Sequence, residues 1–134
     1  MCTRLVAFIV GRYIPCLGAL ALVTGLFGGN VLREFNGRTA VITGGASGIG
    51  LAYARRCASL GMNLVLADIE ASALQSATSW FEERQVPVVG VITDTMRKSA
   101  IESLYQEATA RFGNIHLLFN NAGVVNGGAP APVW

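Results

Sequence analysis

The residues Thr43-Gly44-Gly45-Ala46-Ser47-Gly48-Ile49-Gly50 follow a short apolar run, Thr39-Ala40-Val41-Ile42, and open a helical pattern. A strand that turns through glycines into a helix leaves backbone N–H groups and the positive end of the helix dipole facing outward. That arrangement binds a pyrophosphate with little help from side chains. The glycines here are spaced G-x-x-x-G-x-G, at Gly44, Gly48 and Gly50, and not G-x-G-x-x-G. A tight strand–helix turn without a ligand has similar glycines, so the other polar residues have to decide between the two readings.

Those residues fall at the ends of further apolar runs. Asp68 closes Asn63-Leu64-Val65-Leu66-Ala67, Asp94 follows Val86 to Thr93, and Asn120-Asn121-Ala122-Gly123 follow Ile115-His116-Leu117-Leu118-Phe119. Asp68 comes 24 residues after Gly44, near the separation at which an acid hydrogen-bonds an adenosine ribose. Its other reading is the N-cap of the following helix. For Asp94 capping is nearly as good a reading as ligand binding.

The elements that must position these groups alternate regularly from Asn36 onward. The pattern predicts strands over 39–43, 63–68, 86–93 and 115–119. Helices are predicted over 48–60, 70–85 and 97–112. The first helix has Ile49, Tyr53, Cys57 and Leu60 on one face, with Gly61 as its stop. The second has Leu74, Ala77 and Phe81, and the third Ile101, Leu104, Tyr105, Ala108 and Phe112, at amphipathic spacing. Helices between continuous apolar strands mean right-handed β-α-β units and a parallel sheet buried on both faces. The fold class is therefore α/β, a parallel sheet of about four strands with flanking helices. The four polar groups then gather beyond the carboxyl ends of the strands, where ligands of open parallel sheets bind.

Composition narrows the function further. A net charge of +2 with 13% charged residues gives no basic stripe for nucleic acid. Cys2, Cys16 and Cys57 are an odd set without paired spacing, which reads as reduced thiols in a cytoplasmic protein and not as a disulfide frame or a metal site. Cys57 reads as a small buried hydrophobe. His116, the single histidine, sits in an apolar run and suggests neither a metal ligand nor a catalytic triad.

Residues 1–35 have a different character, an apolar extension preceding the domain at 36–134. Tyr13 to Leu32 are twenty residues without a charge, preceded by Arg4 and Arg12. Three readings stand: a start assigned too early, with Val31 as the initiator; a membrane anchor; or a signal, with Ala19-Leu20-Ala21 resembling a cleavage site. Pro15, Gly18, Gly25, Gly28, Gly29 and Asn30 make it a mediocre membrane helix.

Residues 36–134 resemble the N-terminal half of a short-chain dehydrogenase/reductase, and the resemblance implies a partial Rossmann fold, a doubly wound parallel sheet with strands in the order 3-2-1-4. The family pattern T-G-x-x-x-G-I-G is met by Thr43, Gly44, Gly48, Ile49 and Gly50, and its N-N-A-G motif by Asn120 to Gly123. The resemblance implies that Gly44, Ser47, Gly48, Ile49 and Gly50 hold a pyrophosphate, and Asp68 with Ile69 an adenosine ribose. It further implies that Asp94 and Thr95 flank the adenine and that Asn120, Asn121, Ala122 and Gly123 sit under the nicotinamide ribose. The implied cofactor is NAD, with NADP less favoured, because a carboxylate at Asp68 repels a 2′-phosphate. Ser47 also stands where NADP-preferring relatives commonly carry a basic residue.

The implied activity is alcohol/carbonyl interconversion on a small-molecule substrate by a homo-oligomer when complete. Family catalysis uses a Tyr-x-x-x-Lys pair, and this sequence has none. Residue 94, four before the single lysine Lys98, is an aspartate, and Tyr13, Tyr53 and Tyr105 are followed four residues later by Leu17, Cys57 and Thr109. The expectation is a fragment holding the cofactor-binding half, without catalytic residues and inactive alone. The competing expectation is a truncated, non-catalytic dinucleotide-binding or interaction module, tethered to a membrane through residues 13–32.

Overall fold

Continuous apolar runs build the sheet at the centre of the molecule. A computed structural model describes residues 34–123. In chain order it contains β1 (Thr39–Thr43), α1 (Gly48–Ser59), β2 (Asn63–Asp68), α2 (Ala71–Glu82), β3 (Val88–Ile92), α3 (Lys98–Phe112) and β4 (Leu117–Phe119). All pairings are parallel and the strand order is β3-β2-β1-β4, as expected. Of the predicted extension over 1–35, only Glu34 and Phe35 lie within the described residues, and Phe35 packs against the core. The anchor and signal readings of residues 13–32 fall outside them. Among the described residues no helix is long and apolar enough to cross a membrane.

Side chains alternate across a strand, and both central strands use the two faces. Ala40, Ile42, Leu64 and Leu66 pack with Ala54 and Cys57 of α1 and with Leu74, Ala77 and Phe81 of α2. Val41, Val65 and Ala67 pack with Leu104 and Ala108 of α3 on the other face. The two clusters account for the unbroken apolar run of β2, which has no solvent face to mark with polar residues. Burial raises the pKa of the Cys57 thiol, a small hydrophobe in the first cluster.

Three local expectations are corrected. The face of α1 turned to the sheet is Gly50, Ala54 and Cys57, while Ile49 is 66% exposed and Tyr53 lies at the surface. The cause is Gly50: a Cβ there would run into the Gly44 carbonyl, so only a glycine lets the helix start this close to the turn. On α3, Leu104 and Ala108 are buried, but Ile101 and Tyr105 are largely exposed. The strand expected over 115–119 pairs with β1 only from Leu117, because the His116 ring replaces one ladder bond (below). Gly61, at φ +76°, stops α1 as expected, and the Met62 N–H returns to the Cys57 carbonyl at 3.1 Å.

Candidate functional site

The carboxyl ends of β1, β2 and β4 are tied together by side chains. Asp68, at the end of β2, accepts the Ala46 N–H on Oδ2 at 3.0 Å and the Glu70 N–H on Oδ1 at 3.2 Å. Its carboxylate thus fastens the glycine turn to the neighbouring strand. Asp68 does not cap α2, whose N-cap position is Glu70. Thr43, at the end of β1 and only 4% exposed, donates its hydroxyl to the Phe119 carbonyl at 3.2 Å. The same oxygen accepts the N–H groups of Asn121 at 3.0 Å and Ala122 at 3.1 Å. Asn121 answers by donating Nδ2 to the carbonyls of Thr43 (3.1 Å) and Gly44 (3.2 Å). Above this clasp the Tyr53 ring stacks on Phe119, centroids 5.1 Å apart.

The glycine turn meets the demands of an anion cradle. Ser47 precedes α1 without making a side-chain cap, and the first turn holds no acidic residue. The first-turn N–H groups are thus left without the capping side chain that ordinarily satisfies one of them. Ser47, Gly48 and Ile49 are exposed, and a Cβ built on Gly48 (φ +51°) would meet nothing within 4 Å. At Gly44 (φ +63°) a Cβ would come within 3.0 Å of the Ala122 Cα, so this glycine is needed for the close approach of turn and loop. Ile69, 60% exposed at the end of β2, and Ile49 leave two aliphatic side chains uncovered at the rim.

The predicted site residues are therefore not equally engaged. Asp68 and Asn121 bind the turn directly, whereas Asn120, Ala122 and Gly123 line an exposed loop beside it. Asp94 accepts the Met96 N–H on Oδ1 at 3.0 Å, a turn-closing bond ahead of α3, whose N-cap position is Arg97. Thr95 beside it is exposed. Sequence reasoning quoted Thr43 as part of the glycine motif but missed it as a structural member of the site; its place as the first residue of that motif was the available signal. A hollow of about 620 Å³ lies elsewhere, between α3 and the sheet, and its lining of Val41, Leu104, Tyr105 and Leu118 is apolar.

The family description "short chain dehydrogenase" matches residues 38–132, more than half of the chain. The chain belongs to the short-chain dehydrogenase family. Among the relatives of this short-chain dehydrogenase chain is the 1-deoxy-11-beta-hydroxypentalenate dehydrogenase of Streptomyces arenae, 40% identical over 97 residues. That match covers 72% of the chain and 34% of the relative. The diacetyl reductase [(S)-acetoin forming] of Staphylococcus epidermidis is 39% identical over 65% of the chain and 34% of its own length. A short-chain dehydrogenase/reductase from Burkholderia phymatum, solved in complex with NAD, has a TM-score of 0.67 and 47% identity, covering 68% of this chain and 32% of that one. L-Sorbose reductase from Gluconobacter frateurii, complexed with NADPH and L-sorbose, has a TM-score of 0.66 and 34% identity over 70% and 36% of the two chains. The chain thus spans about a third of the length of these relatives.

The clasp gives this family domain a testable mechanical feature. Thr43→Val keeps shape but leaves the N–H groups of Asn121 and Ala122 without their acceptor. The expected cost is about 1–3 kcal/mol of stability, read by urea unfolding, with faster amide exchange concentrated at Asn121 and Ala122. Thr43→Ser should restore both; equal exchange in all three proteins would dismiss the clasp.

Proposed function

We propose that this chain is the NAD-binding part of an oxidoreductase that interconverts an alcohol and a carbonyl. The observation that carries the reading is the uncapped start of α1 beside the Asp68 carboxylate, both at the carboxyl edge of a parallel sheet. The residues present fit the cofactor. The uncapped N–H groups of the turn suit a pyrophosphate, and the open space at Gly48 lets it approach the backbone. The Asp68 oxygens each accept one backbone N–H and keep lone pairs for two ribose hydroxyls. Ile49 and Ile69 offer apolar cover to the cofactor at the rim, Asp94 and Thr95 an edge for the adenine, and the Asn120–Gly123 loop a floor for the second ribose.

Bound there, the nicotinamide ring would supply hydride acceptance and donation. The chain's own part is to bind and orient: Asp68 selects the ribose, the Thr43–Asn121 clasp fixes the loop against the turn, and Tyr53 stacked on Phe119 shields the junction from water. Family membership favours this reading over a non-catalytic interaction module. The preference for NAD rests on charge, since a carboxylate that accepts hydroxyls repels a 2′-phosphate. Relatives of similar fold are seen with either cofactor, so the choice lies in such side chains.

Calorimetric titration of both cofactors tests the assignment. Asp68→Ala should weaken NAD binding by about 1–3 kcal/mol, the scale of hydrogen bonds to a charged group. Asp68→Asn, which can still accept the Ala46 N–H, should keep the turn in place and admit NADP more readily. Equal affinity of the wild type for NAD and NADP would sink the ribose assignment.

A further inference from the structure

We propose that His116 is a pH-dependent positioning residue. Its neutral ring pins β4 to the start of β1 and holds the Asn120–Gly123 loop against the glycine turn, and its protonated ring releases that pin. The inference rests on the reading of this loop as a wall of the cofactor site.

The strand that carries the loop is weakly attached. β4 pairs with β1 through only Ala40↔Leu117, Val41↔Leu118 and Ile42↔Phe119. Above these pairs the clasp of Thr43 and Asn121 closes the junction; below them the fastening is His116. Its N–H donates to the Thr39 carbonyl at 3.0 Å, and its Nδ1 accepts the Thr39 N–H at 3.1 Å. One residue thus meets both backbone groups that Thr39 turns toward β4. Thr39 is fully buried and its hydroxyl already lacks a partner, so water cannot readily take the place of the ring.

The other side of the ring faces a cation. Arg38 Nη1 lies 3.1 Å from His116 Nε2, and a guanidinium can only donate. A neutral imidazole has one accepting nitrogen, so it can serve Thr39 or Arg38 but not both. An imidazolium accepts from neither. Protonation leaves the buried Thr39 N–H unmet and sets a positive ring against Arg38. The ion pairs among the described residues, Arg84–Glu83 and Lys98–Glu102, bring no carboxylate to either group. The one group favouring the charged ring is the Asn114 carbonyl, from the turn between α3 and β4.

Burial first, and then the Arg38 charge, lower the ring's pKa from its ordinary 6.5. With the folded value below the unfolded one, the unfolded chain binds the proton more readily, so stability rises with pH. The pin is fully in place above the ordinary value and is lost as the pH falls through the folded one. Acidification then frees the lower end of β4, and the loop at its upper end loses its support.

The test uses the full 134-residue chain between about pH 5 and pH 8, following the His116 ring by NMR, Thr39 amide exchange and NAD affinity together. In the wild type, NAD affinity should fall about fivefold or more toward the acid end, with Thr39 exchange accelerating in step with ring protonation. His116→Asn supplies an acceptor that does not titrate, and should flatten both responses while keeping the affinity seen at neutral pH. Arg38→Gln should move ring protonation to higher pH. A His116→Asn variant that falls like the wild type, or Thr39 exchange indifferent to the ring, overturns the pin. A ring that titrates with NAD affinity constant overturns its coupling to the loop. Exchange that follows the ring while NAD fails to bind at every pH supports the pin and overturns the cofactor reading instead.

Discussion

Gly50→Ala is expected to damage fold and site together, whereas Gly48→Val should remove cofactor binding and leave the fold standing. The two glycines are two residues apart on the same turn, yet their surroundings are opposite. A methyl at Gly50 would meet the Gly44 carbonyl and lie 2.7 Å from Asn121 Nδ2, both backbone-anchored parts of the clasp. Neither can withdraw without moving α1 off the sheet. Overpacking of this kind costs about 1–3 kcal/mol, and it falls on the contact that aligns turn and loop.

At Gly48 the added side chain points into open space. The cost there is the φ of +51°, at which a β-branched residue is strained by about 1–3 kcal/mol. On the proposed cofactor reading, the pyrophosphate comes close in this same open space. Circular dichroism with NAD titration separates the outcomes. Gly50→Ala should melt earlier and bind poorly, and Gly48→Val should keep its spectrum and lose binding. Binding retained in Gly48→Val would mean that the cofactor does not lie on this turn.

That contrast marks how far spacing alone could be read. The strands, their order and the acid ending β2 were legible because a doubly covered parallel sheet demands unbroken apolar runs and leaves polar residues only at strand ends. The facing of α1 was not, since Ile49 and Tyr53 form the stronger apolar stripe and lose to a steric requirement at Gly50. Asp68 could be placed from its distance to Gly44, but its bond to the Ala46 N–H spans 22 residues and belongs to the folded turn. Thr43 and Asn121 meet across 78 residues. His116 looked like an apolar-run residue because nothing local shows that its ring would replace a ladder acceptor for Thr39.

Turnover by the 134 residues alone is expected to be absent even where NAD binds. Acid–base catalysis in this family rests on a tyrosine with a lysine four residues on, and no tyrosine here has one. General acid–base catalysis contributes a factor of about 10²–10⁴, and the sequence has no such pair to supply it. Tyr53 cannot stand in, because its ring is stacked on Phe119 and the residue four positions later is the buried Cys57. Grafting distinguishes a sound cofactor-binding segment from an inert one. Residues 36–123, substituted for the matching segment of the Staphylococcus epidermidis diacetyl reductase, to which the chain is 39% identical, should give a chimera that reduces diacetyl. Its cofactor preference should follow Asp68, moving toward NADP in the Asp68→Asn chimera. Turnover by the isolated chain would show that another group performs the proton transfer. A folded chimera that binds NAD tightly and stays inactive would mean that this segment does not present the cofactor in a geometry the reductase's catalytic residues can use.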